Sequence, residues 1–332
     1  MGILKGLWIC VCISVLCVVN ARFTNHTVAY KNTGSKIVDG FVRTDKDNSF
    51  YILIRNNNQD IIKYNYNTDT NQQHPFHKYA LFGSFLNTRD NLLYGFSEID
   101  GAIHLVIVDG KEPSTKPIPN LRGLPQCSVF DHQSNRVLSH YGNQEATYIT
   151  LNDLKVSSLN ITDTKYGYSC ALDESSKLAY FVGVDGSNYD TRLDIVDLNT
   201  LSIQSVLMPN KIPPNMINIK LSSRFLYIAN VYSASITNLS MLRMNLQTKK
   251  FDSVDVKSRA TPSGLIVDSD AEQPYYATSE GLITPGSDFK SFELLDLRLP
   301  RLRGIAHVVY KGSQRRPSAY ISDWDGNLIL LQ

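Results

Sequence analysis

The sequence has few cysteines, and it has no long apolar run beyond its first residues. Three of its five cysteines, Cys10, Cys12 and Cys17, fall in that amino-terminal run, which leaves Cys127 and Cys170. No later segment reaches the roughly 18 consecutive apolar residues that a transmembrane helix needs, so none is predicted. Long stripes of apolar residues at helical spacing are also missing, which argues against an α-helical fold.

An excess of charge of one sign is missing as well. With 33 Lys and Arg against 31 Asp and Glu, the formal net charge is +2, so no overall field favours nucleic acid, and no nucleic-acid partner is predicted. The sequence contains no GxSxG, HExxH or paired CxxC motif and no glycine-rich phosphate loop. No catalytic residue and no organic cofactor is therefore predicted. The 42% apolar and 19% charged residues indicate a globular chain.

The first 21 residues have the pattern of a secretory signal peptide. Lys5 supplies the positive charge, the 13 residues 7–19 are apolar, and Ala21 provides a small residue at the expected cleavage site. Such a run, at about 1.5 Å per residue, is too short to cross a hydrocarbon core of roughly 30 Å. We therefore expect a mature domain over residues 22–332 without stable membrane insertion, secreted or resident in the lysosomal lumen.

In an oxidising secretory compartment, cysteine pairs can form disulfides and asparagine sequons can be glycosylated, and the sequence has both features. Cys127 and Cys170 form an even pair, so a disulfide is expected, with two buried thiols as the alternative. They lie four residues before Asp131 and three before Asp173, and this offset turns them to opposite faces of their strands, which counts against the bridge. The sequence also contains three predicted N-glycosylation sites: Asn25, Asn160 and Asn238.

Short apolar runs recur along the chain at a regular spacing. The clearest unit, residues 177–204, has β-rich runs on both sides of an Asp185-Gly186 turn, a strong hairpin signal. The central residues of the second run in successive units are 43, 43, 43, 47, 48 and 45 residues apart. These central residues are Tyr51, Tyr94, Val137, Tyr180, Tyr227, Tyr275 and Tyr320.

Four short strands in each period of roughly 40–50 residues are typical of a β-propeller. We predict an all-β chain that forms a single propeller of seven four-stranded blades. Six blades are the alternative, because the unit around Val137 is the weakest. Residues 27–30 are expected to pair as the outer strand of the last blade, beside residues 328–331, and so to close the ring.

The segments LAYFVGVDG, LDIVDLNT and AYISDWDGNLILL resemble blade cores of the broad YVTN/NHL/gluconolactonase-like group of secreted propellers, over most of the mature chain. The gluconolactonase-like members hold one calcium ion at the centre of the ring and use a carboxylate as base. The resemblance thus implies a calcium-dependent lactonase or esterase-like hydrolase as one function, with calcium as the only cofactor considered. Its candidate ligands are Asp173, Asn230, Asp268 and Asp323, although aspartates that end first strands are also ordinary turn residues.

One stretch of the sequence is strongly basic and contains no acidic residue. It spans residues 298–316 and could form a patch for a sulfated glycan or an anionic lipid surface. Its cations are Arg298, Arg301, Arg303, Lys311, Arg315 and Arg316. The alternative is two solvated loops whose charges point to different faces. The preferred function is a secreted, glycosylated, non-enzymatic binding module for an extracellular protein or glycan, with the hydrolase as the alternative.

Overall fold

The computed structural model describes residues 23, 26–30, 37–44, 48–55, 60–75, 80–108, 112–141, 146–159, 164–185, 190–209, 217–230, 238–257, 262–278, 280–297, 302–309, 318–323 and 327–332. Within these ranges the chain consists of β-strands, turns and irregular segments. No helix in this part of the chain has the length and apolar character to span a membrane. The predicted signal peptide and its cleavage site lie outside the described residues.

The strands are short and are separated by turns. They begin with β1 (His26–Tyr30), β2 (Ile37–Thr44), β3 (Ser49–Arg55), β4 (Asp60–Asn65), β5 (Thr70–Pro75), β6 (Phe82–Asn87), β7 (Leu92–Ile99), β8 (Ala102–Val108), β9 (Ser114–Pro117), β10 (Cys127–Asp131), β11 (Arg136–His140), β12 (Ala146–Thr150), β13 (Val156–Leu159) and β14 (Thr164–Asp173). They continue with β15 (Leu178–Asp185), β16 (Thr191–Asp197), β17 (Ile203–Leu207), β18 (Ile217–Leu221), β19 (Phe225–Asn230), β20 (Asn238–Asn245), β21 (Phe251–Lys257), β22 (Pro262–Asp268), β23 (Gln273–Thr278), β24 (Gly281–Pro285), β25 (Phe292–Leu295), β26 (Leu302–Val309), β27 (Ser318–Asp323) and β28 (Leu328–Leu331).

The strands of the described residues form six sheets. Five of these sheets are antiparallel meanders of four consecutive strands, beginning at β2, β6, β10, β14 and β18. The remaining sheet has eight strands in the order β1, β28, β27, β26, β22, β23, β24, β25. It joins the four-stranded unit β22 to β25 to the unit of β26, β27, β28 and β1. The joint is a short parallel pairing in which Gly264 faces Gly304 and Leu265 faces Ile305.

The arrangement is an all-β propeller, as predicted, and sheet hydrogen bonding gives it six blades, the lower of the two expected numbers. The preferred number of seven is not confirmed. The physical reason is the parallel pairing of β22 with β26, which merges the last two four-stranded units into one hydrogen-bonded sheet. The sequence pattern marks repeating units and contains no signal for such a bond between first strands.

The ring is closed by the amino-terminal strand. β1 pairs antiparallel with β28, with His26 opposite Leu331 and Val28 opposite Ile329, so the predicted closure is confirmed. At the centre, the first strands contact one another in the cyclic order β2, β6, β10, β14, β18, β22, β26 and again β2. Because β1 and β28 come from opposite ends of the chain, their pairing holds both ends in one sheet.

The apolar core lies between consecutive four-stranded units. The central residues of the repeat all fall on second strands (β3, β7, β11, β15, β19, β23 and β27), and all are buried. In the described part of the chain, each pair of neighbouring units encloses an apolar cluster of its own. Alternate residues of each strand therefore pack on the preceding and the following unit, as expected for radial stacking.

Turns of a common form connect the first and second strands. The carboxylates of Asp131, Asp173 and Asp268 each accept backbone N–H hydrogen bonds from the residues two and three positions later. The last residue of such a turn has a positive φ, as at Glu272 (φ 53°). Turns between third and fourth strands follow the same rule, and one of them ends at Phe289 (φ 56°). These turns all lie on one face of the ring, here called the turn face.

Candidate functional site

A cavity of about 490 Å³ opens on the turn face where the β18 to β21 blade meets the β22 to β25 unit. Side chains of both units line it. We call it the Arg243 groove, and we define it by Arg224, Phe225, Arg243, Glu272, Phe289 and Phe292. The groove thus combines aromatic rings with charges of both signs.

The guanidinium group of Arg243 lies in the wall of the groove. Its central carbon lies 4.6 Å from the ring centroids of both Phe225 and Phe289, which come from the two different units. Its Nε donates a hydrogen bond of 2.8 Å to Asp252. Two cation–π contacts and an ion pair fix the position of this side chain. Since its side chain is only 16% exposed, Arg243 acts mainly as a fixed part of the wall.

Phe289 reaches this stack from a turn with an unfavourable backbone conformation. A bulky residue at φ 56° is uncommon, because its Cβ crowds the backbone in the left-handed region. The ring is nevertheless almost fully buried, in an apolar cluster with Tyr227, Val254 and Tyr276. The packing of the ring thus compensates a local conformational cost at the edge of the groove.

Arg224 provides an exposed positive charge at the mouth of the groove. Its side chain is 67% exposed, and its nearest acidic partner, Glu272, is 3.9 Å away, beyond hydrogen-bond distance. The Glu272 carboxylate instead accepts hydrogen bonds from the hydroxyl groups of Ser222 and Ser223. Arg224 also lies 5.3 Å from the ring of Phe225. Its guanidinium therefore retains donors that can face a ligand.

Glu272 is held in place by side chains of the neighbouring β18 to β21 blade. Its backbone carbonyl accepts a hydrogen bond of 2.8 Å from the hydroxyl of Tyr227. Burial, and secondarily the negative charge of Glu272, raise the pKa of Tyr227 to about 12. Burial also raises the pKa of Tyr276, which packs in the same cluster. Both phenols are therefore neutral at physiological pH, and that of Tyr227 serves as a hydrogen-bond donor.

Two apolar side chains continue the groove along its outer rim. Phe292 and Leu294, on β25, are each 45% exposed and point to the same face of the strand. Apart from Leu207 on β17, no other large apolar residue among those described is so exposed. An exposed apolar pair that adjoins a cavity is a feature of ligand-binding and protein-binding surfaces.

The structure places the candidate calcium ligands at two opposite ends of the sheets. Asp173 and Asp268 end first strands, whereas Asn230 and Asp323 end second strands, which run in the opposite direction. Asp323 accepts hydrogen bonds from the backbone and side chain of Asn327. In the ranges given above, no three His, Cys, Asp or Glu side chains come together as a metal site. Calcium binding by these residues stays a prediction.

The two cysteines lie side by side between consecutive blades. Both are free thiols, and both contact the apolar cluster shared by the β10 to β13 and β14 to β17 blades. Burial, and secondarily the neighbouring Cys127 thiol, raise the pKa of Cys170. The strand offset places the two cysteines on opposite faces of their blades. Because these two faces pack against each other in consecutive blades, the offset brings the thiols together. The disulfide itself stays a prediction.

Five of the six cations of the basic stretch and two of the three glycosylation sites, Asn25 and Asn160, lie outside the described residues. Of its six cations, the structure assigns only Arg303 to a strand, β26, and Asn238 begins β20. The Arg243 groove was not found from the sequence, because Phe225, Arg243 and Phe289 belong to three distant segments. Each occupies an ordinary position in its repeat, so only the stacking of two units reveals the site.

Comparisons with known proteins identify the fold and no family. No protein-family model and no curated protein matches the chain. Among solved structures, the Kuenenia stuttgartiensis hydrazine synthase is similar with a TM-score of 0.69 and 8% identity, covering 91% of this chain and 97% of that one. The extracellular domain of the one component system BT4673 from B. thetaiotaomicron has a TM-score of 0.64 and 11% identity.

The alignment with the BT4673 domain covers 92% of this chain and 40% of the other, so this chain spans less than half the length of that relative. At such low identity these likenesses establish the propeller fold alone. They do not confirm membership of the YVTN/NHL/gluconolactonase-like group.

Proposed function

We propose that this protein is a non-enzymatic binding module that acts outside the cytosol and holds its ligand in the Arg243 groove. The observation that carries the proposal is the stack of Arg243 between Phe225 and Phe289. This stack fixes the walls of the groove through contacts within the protein. A site whose side chains are already positioned loses little conformational entropy when a ligand binds.

The chemistry of the groove supports a protein ligand over a glycan. Phe292 and Leu294 offer an apolar strip, and Arg224 offers an exposed guanidinium group whose N–H donors can face a ligand. Protein interfaces typically combine such aromatic and arginine anchors. A glycan, which would stack its sugar rings on Phe225 or Phe292, is the alternative ligand.

Secretion and glycosylation belong to the same proposal. The signal-peptide pattern of residues 1–21 supports export, and the sequons at Asn25, Asn160 and Asn238 support glycosylation. Expression in a secreting eukaryotic cell should yield protein in the medium, with an amino terminus at Arg22 and a mass that falls on treatment with peptide-N-glycosidase F. Retention in the cell with an intact amino terminus would contradict this part of the proposal.

The disulfide between Cys127 and Cys170 is also proposed, supported by the contact of the two thiols. Protein purified from the medium under non-reducing conditions should have a mass about two daltons below that of the reduced form, by loss of two hydrogens. Full alkylation of both thiols without reduction would show that they are free.

Binding can be tested with two defined probes, a displayed library of random dodecapeptides and a glycan array. We expect the peptide library to yield ligands for the wild-type protein that bind the Phe225→Ser variant at least roughly tenfold more weakly. Arg122→Ser, which replaces an exposed residue remote from the groove, is the matched control. Failure of both probes to bind, or equal binding to wild type and the Phe225→Ser variant, would reject the groove as the binding site.

A further inference from the structure

The outer strand of the β22 to β25 unit differs in its side chains from the outer strands β5, β9 and β21, whereas β13 and β17 lack proline and charged residues. β5 ends in Pro75, β9 contains Lys116 and Pro117, and β21 contains charged residues that include Lys257. Charges and prolines at such positions protect an edge strand from pairing with another chain. The four residues of β25, Phe-Glu-Leu-Leu, contain one charge and no proline. Its edge is therefore less protected than those edges.

The hydrogen bonds of β25 show which backbone groups face outward. Ser291 accepts a hydrogen bond of 2.9 Å from Gly286, and the register then pairs Thr284 with Glu293 and Ile283 with Leu294. In an antiparallel ladder, hydrogen-bonded and non-hydrogen-bonded pairs alternate. Glu293 therefore bonds to β24, whereas the N–H and C=O groups of Phe292 and Leu294 point away from the sheet. Within the described residues β25 has no second neighbour.

The same two residues carry the exposed apolar side chains, so Phe292 and Leu294 offer both backbone hydrogen bonds and apolar contacts. Phe292 also lines the Arg243 groove, which makes the strand edge continuous with the cavity. At the other side of that cavity, Arg224 lies in contact with Phe225 and beyond hydrogen-bond distance of Glu272. A ligand that follows the edge of β25 into the groove thus meets an arginine suited to a carboxylate.

We propose that an extended segment of a partner protein adds as a strand to the outer edge of β25, with alternate apolar side chains beside Phe292 and Leu294 and an acidic side chain against Arg224. This mode of binding rests on the proposed function and specifies its ligand. Strand addition gains affinity from main-chain hydrogen bonds and specificity from alternate side chains. The acidic side chain follows from charge complementarity with the exposed guanidinium.

A second copy of this chain fits the same edge less well. A symmetric antiparallel pairing through Phe292 and Leu294 would place Glu293 directly opposite Glu293 of the other copy. Like charges directly opposite each other destabilise a pair of strands. A peptide with an uncharged or basic residue at that position avoids this repulsion.

The test uses dodecapeptides selected from the displayed library on the full mature protein. We expect the enriched sequences to share apolar residues at alternate positions and one Asp or Glu. Binding of a synthetic peptide of this type should weaken by roughly tenfold or more in two variants. One is the Phe292→Ser, Leu294→Ser double variant, and the other is Leu294→Pro, which removes an outward N–H and leaves the bonds to β24 intact. Leu207→Ser, on the outer strand β17, is the matched control.

The role of Arg224 is measured by a double-mutant cycle. Replacing the acidic residue of the peptide by its amide should weaken binding to the wild-type protein and should have little effect with the Arg224→Ser variant. Equal binding of the acidic and amide peptides to wild type would overturn the assignment of the acidic side chain.

Three further outcomes would overturn strand addition. One is full affinity of the Leu294→Pro variant, whose folding is verified by its circular dichroism spectrum. Another is binding of glycans and of no peptide, lost in the Phe225→Ser variant, which would leave the proposed function standing. The third is a dimer of the wild type in sedimentation that dissociates in the Leu294→Pro variant, which would assign the edge to self-association.

Discussion

The guanidinium carbon of Arg243, on β20, lies 4.6 Å from the ring centroid of Phe289, which belongs to the neighbouring unit of the ring. Arg243 also makes a 3.5 Å contact through Nη1 with the carbonyl oxygen of Ser287 in the same turn. Similar contacts recur elsewhere on the turn face. Arg89 donates hydrogen bonds to the carbonyls of His132 and Gln133, and Arg136 donates to that of Leu198. Arginines therefore connect consecutive units at their turns.

Replacement of Arg243 by Met should destabilise the protein. Met retains much of the apolar stem and removes the cation–π contacts with Phe225 and Phe289 and the ion pair with Asp252. We expect a loss of about 2 kcal/mol in the free energy of unfolding, measured by urea denaturation. Arg122→Met is the control, and it should change this free energy by less than about 0.5 kcal/mol. Equal stability of the two variants would contradict the structural role of the stack.

Phe23 should contribute strongly to closure of the ring. It is 2% exposed, and its ring centroid lies 5.0 Å from that of Tyr275, in a cluster that includes Ala319 and Leu331. Phe23→Ala should therefore cost about 3–5 kcal/mol of unfolding free energy in the mature protein. The exposed Leu207→Ala substitution is the matched control. A cost below about 1 kcal/mol for Phe23→Ala would show that this residue is not part of the core.

His140 should make stability depend on pH. The side chain is 0% exposed, and burial lowers its pKa from 6.5 to about 4. Because the pKa is lowered in the folded state, the folded protein favours the neutral imidazole. This stabilisation is complete above pH 6.5 and is lost as the pH falls from 6.5 to 4. The total loss is about 3 kcal/mol.

The variant His140→Leu should remove this part of the pH dependence. Its unfolding free energy, measured between pH 4 and pH 7, should fall less steeply with decreasing pH than that of the wild type. The exposed His132→Leu variant serves as control and should retain the wild-type slope. Parallel pH profiles for His140→Leu and the wild type would show that His140 does not titrate in this range.

Calcium provides a test of the alternative function. A calcium-dependent hydrolase would gain thermal stability from the ion by mass action, roughly 2.7 kcal/mol at a hundredfold excess over the dissociation constant. The binding-module account predicts the same melting temperature in calcium and in EDTA. An EDTA-sensitive rise in the melting temperature that is lost in Asp268→Asn would support the metal site and contradict our preferred function.

Heparin binding tests whether the basic stretch forms a ligand-binding patch. If Arg301, Arg303, Arg315 and Arg316 form one anionic-ligand patch, the protein should bind heparin and elute at a salt concentration that falls when all four are changed to Ser. We expect at most a small change, because the proposed ligand site lies in the Arg243 groove. Strong retention that the four substitutions abolish would establish the patch as a second binding surface.

The repeat pattern predicted most of the fold. Tyr180 and Tyr227, for example, could be assigned to equivalent strands from the sequence. Period-2 alternation and turn residues are local properties, and a sequence displays them directly. The pairing of β1 with β28 was also predictable, since residues 27–30 have the pattern of an extended segment that precedes the first complete unit. The pairing of Gly264 with Gly304 was not predictable, because it depends on how closely two first strands approach at the axis.

The Arg243 groove could not be predicted for a related reason. Phe225, Arg243 and Phe289 meet only when two units stack, and nothing in their local sequence distinguishes them from ordinary repeat positions. The strand offset of Cys127 and Cys170 was correctly identified, and the disulfide between them stays a prediction. In a radial stack, side chains on opposite faces of consecutive blades point toward each other.

Hydrogen–deuterium exchange tests the central claim most directly, when it is measured on the mature protein with and without a selected peptide or glycan ligand. We predict that the ligand slows exchange in residues 222–228, 271–274 and 286–294, which surround the Arg243 groove. Residues 118–126, on the opposite face of the ring, should exchange at an unchanged rate. Protection confined to residues 118–126, or to other segments away from the groove, would contradict the account.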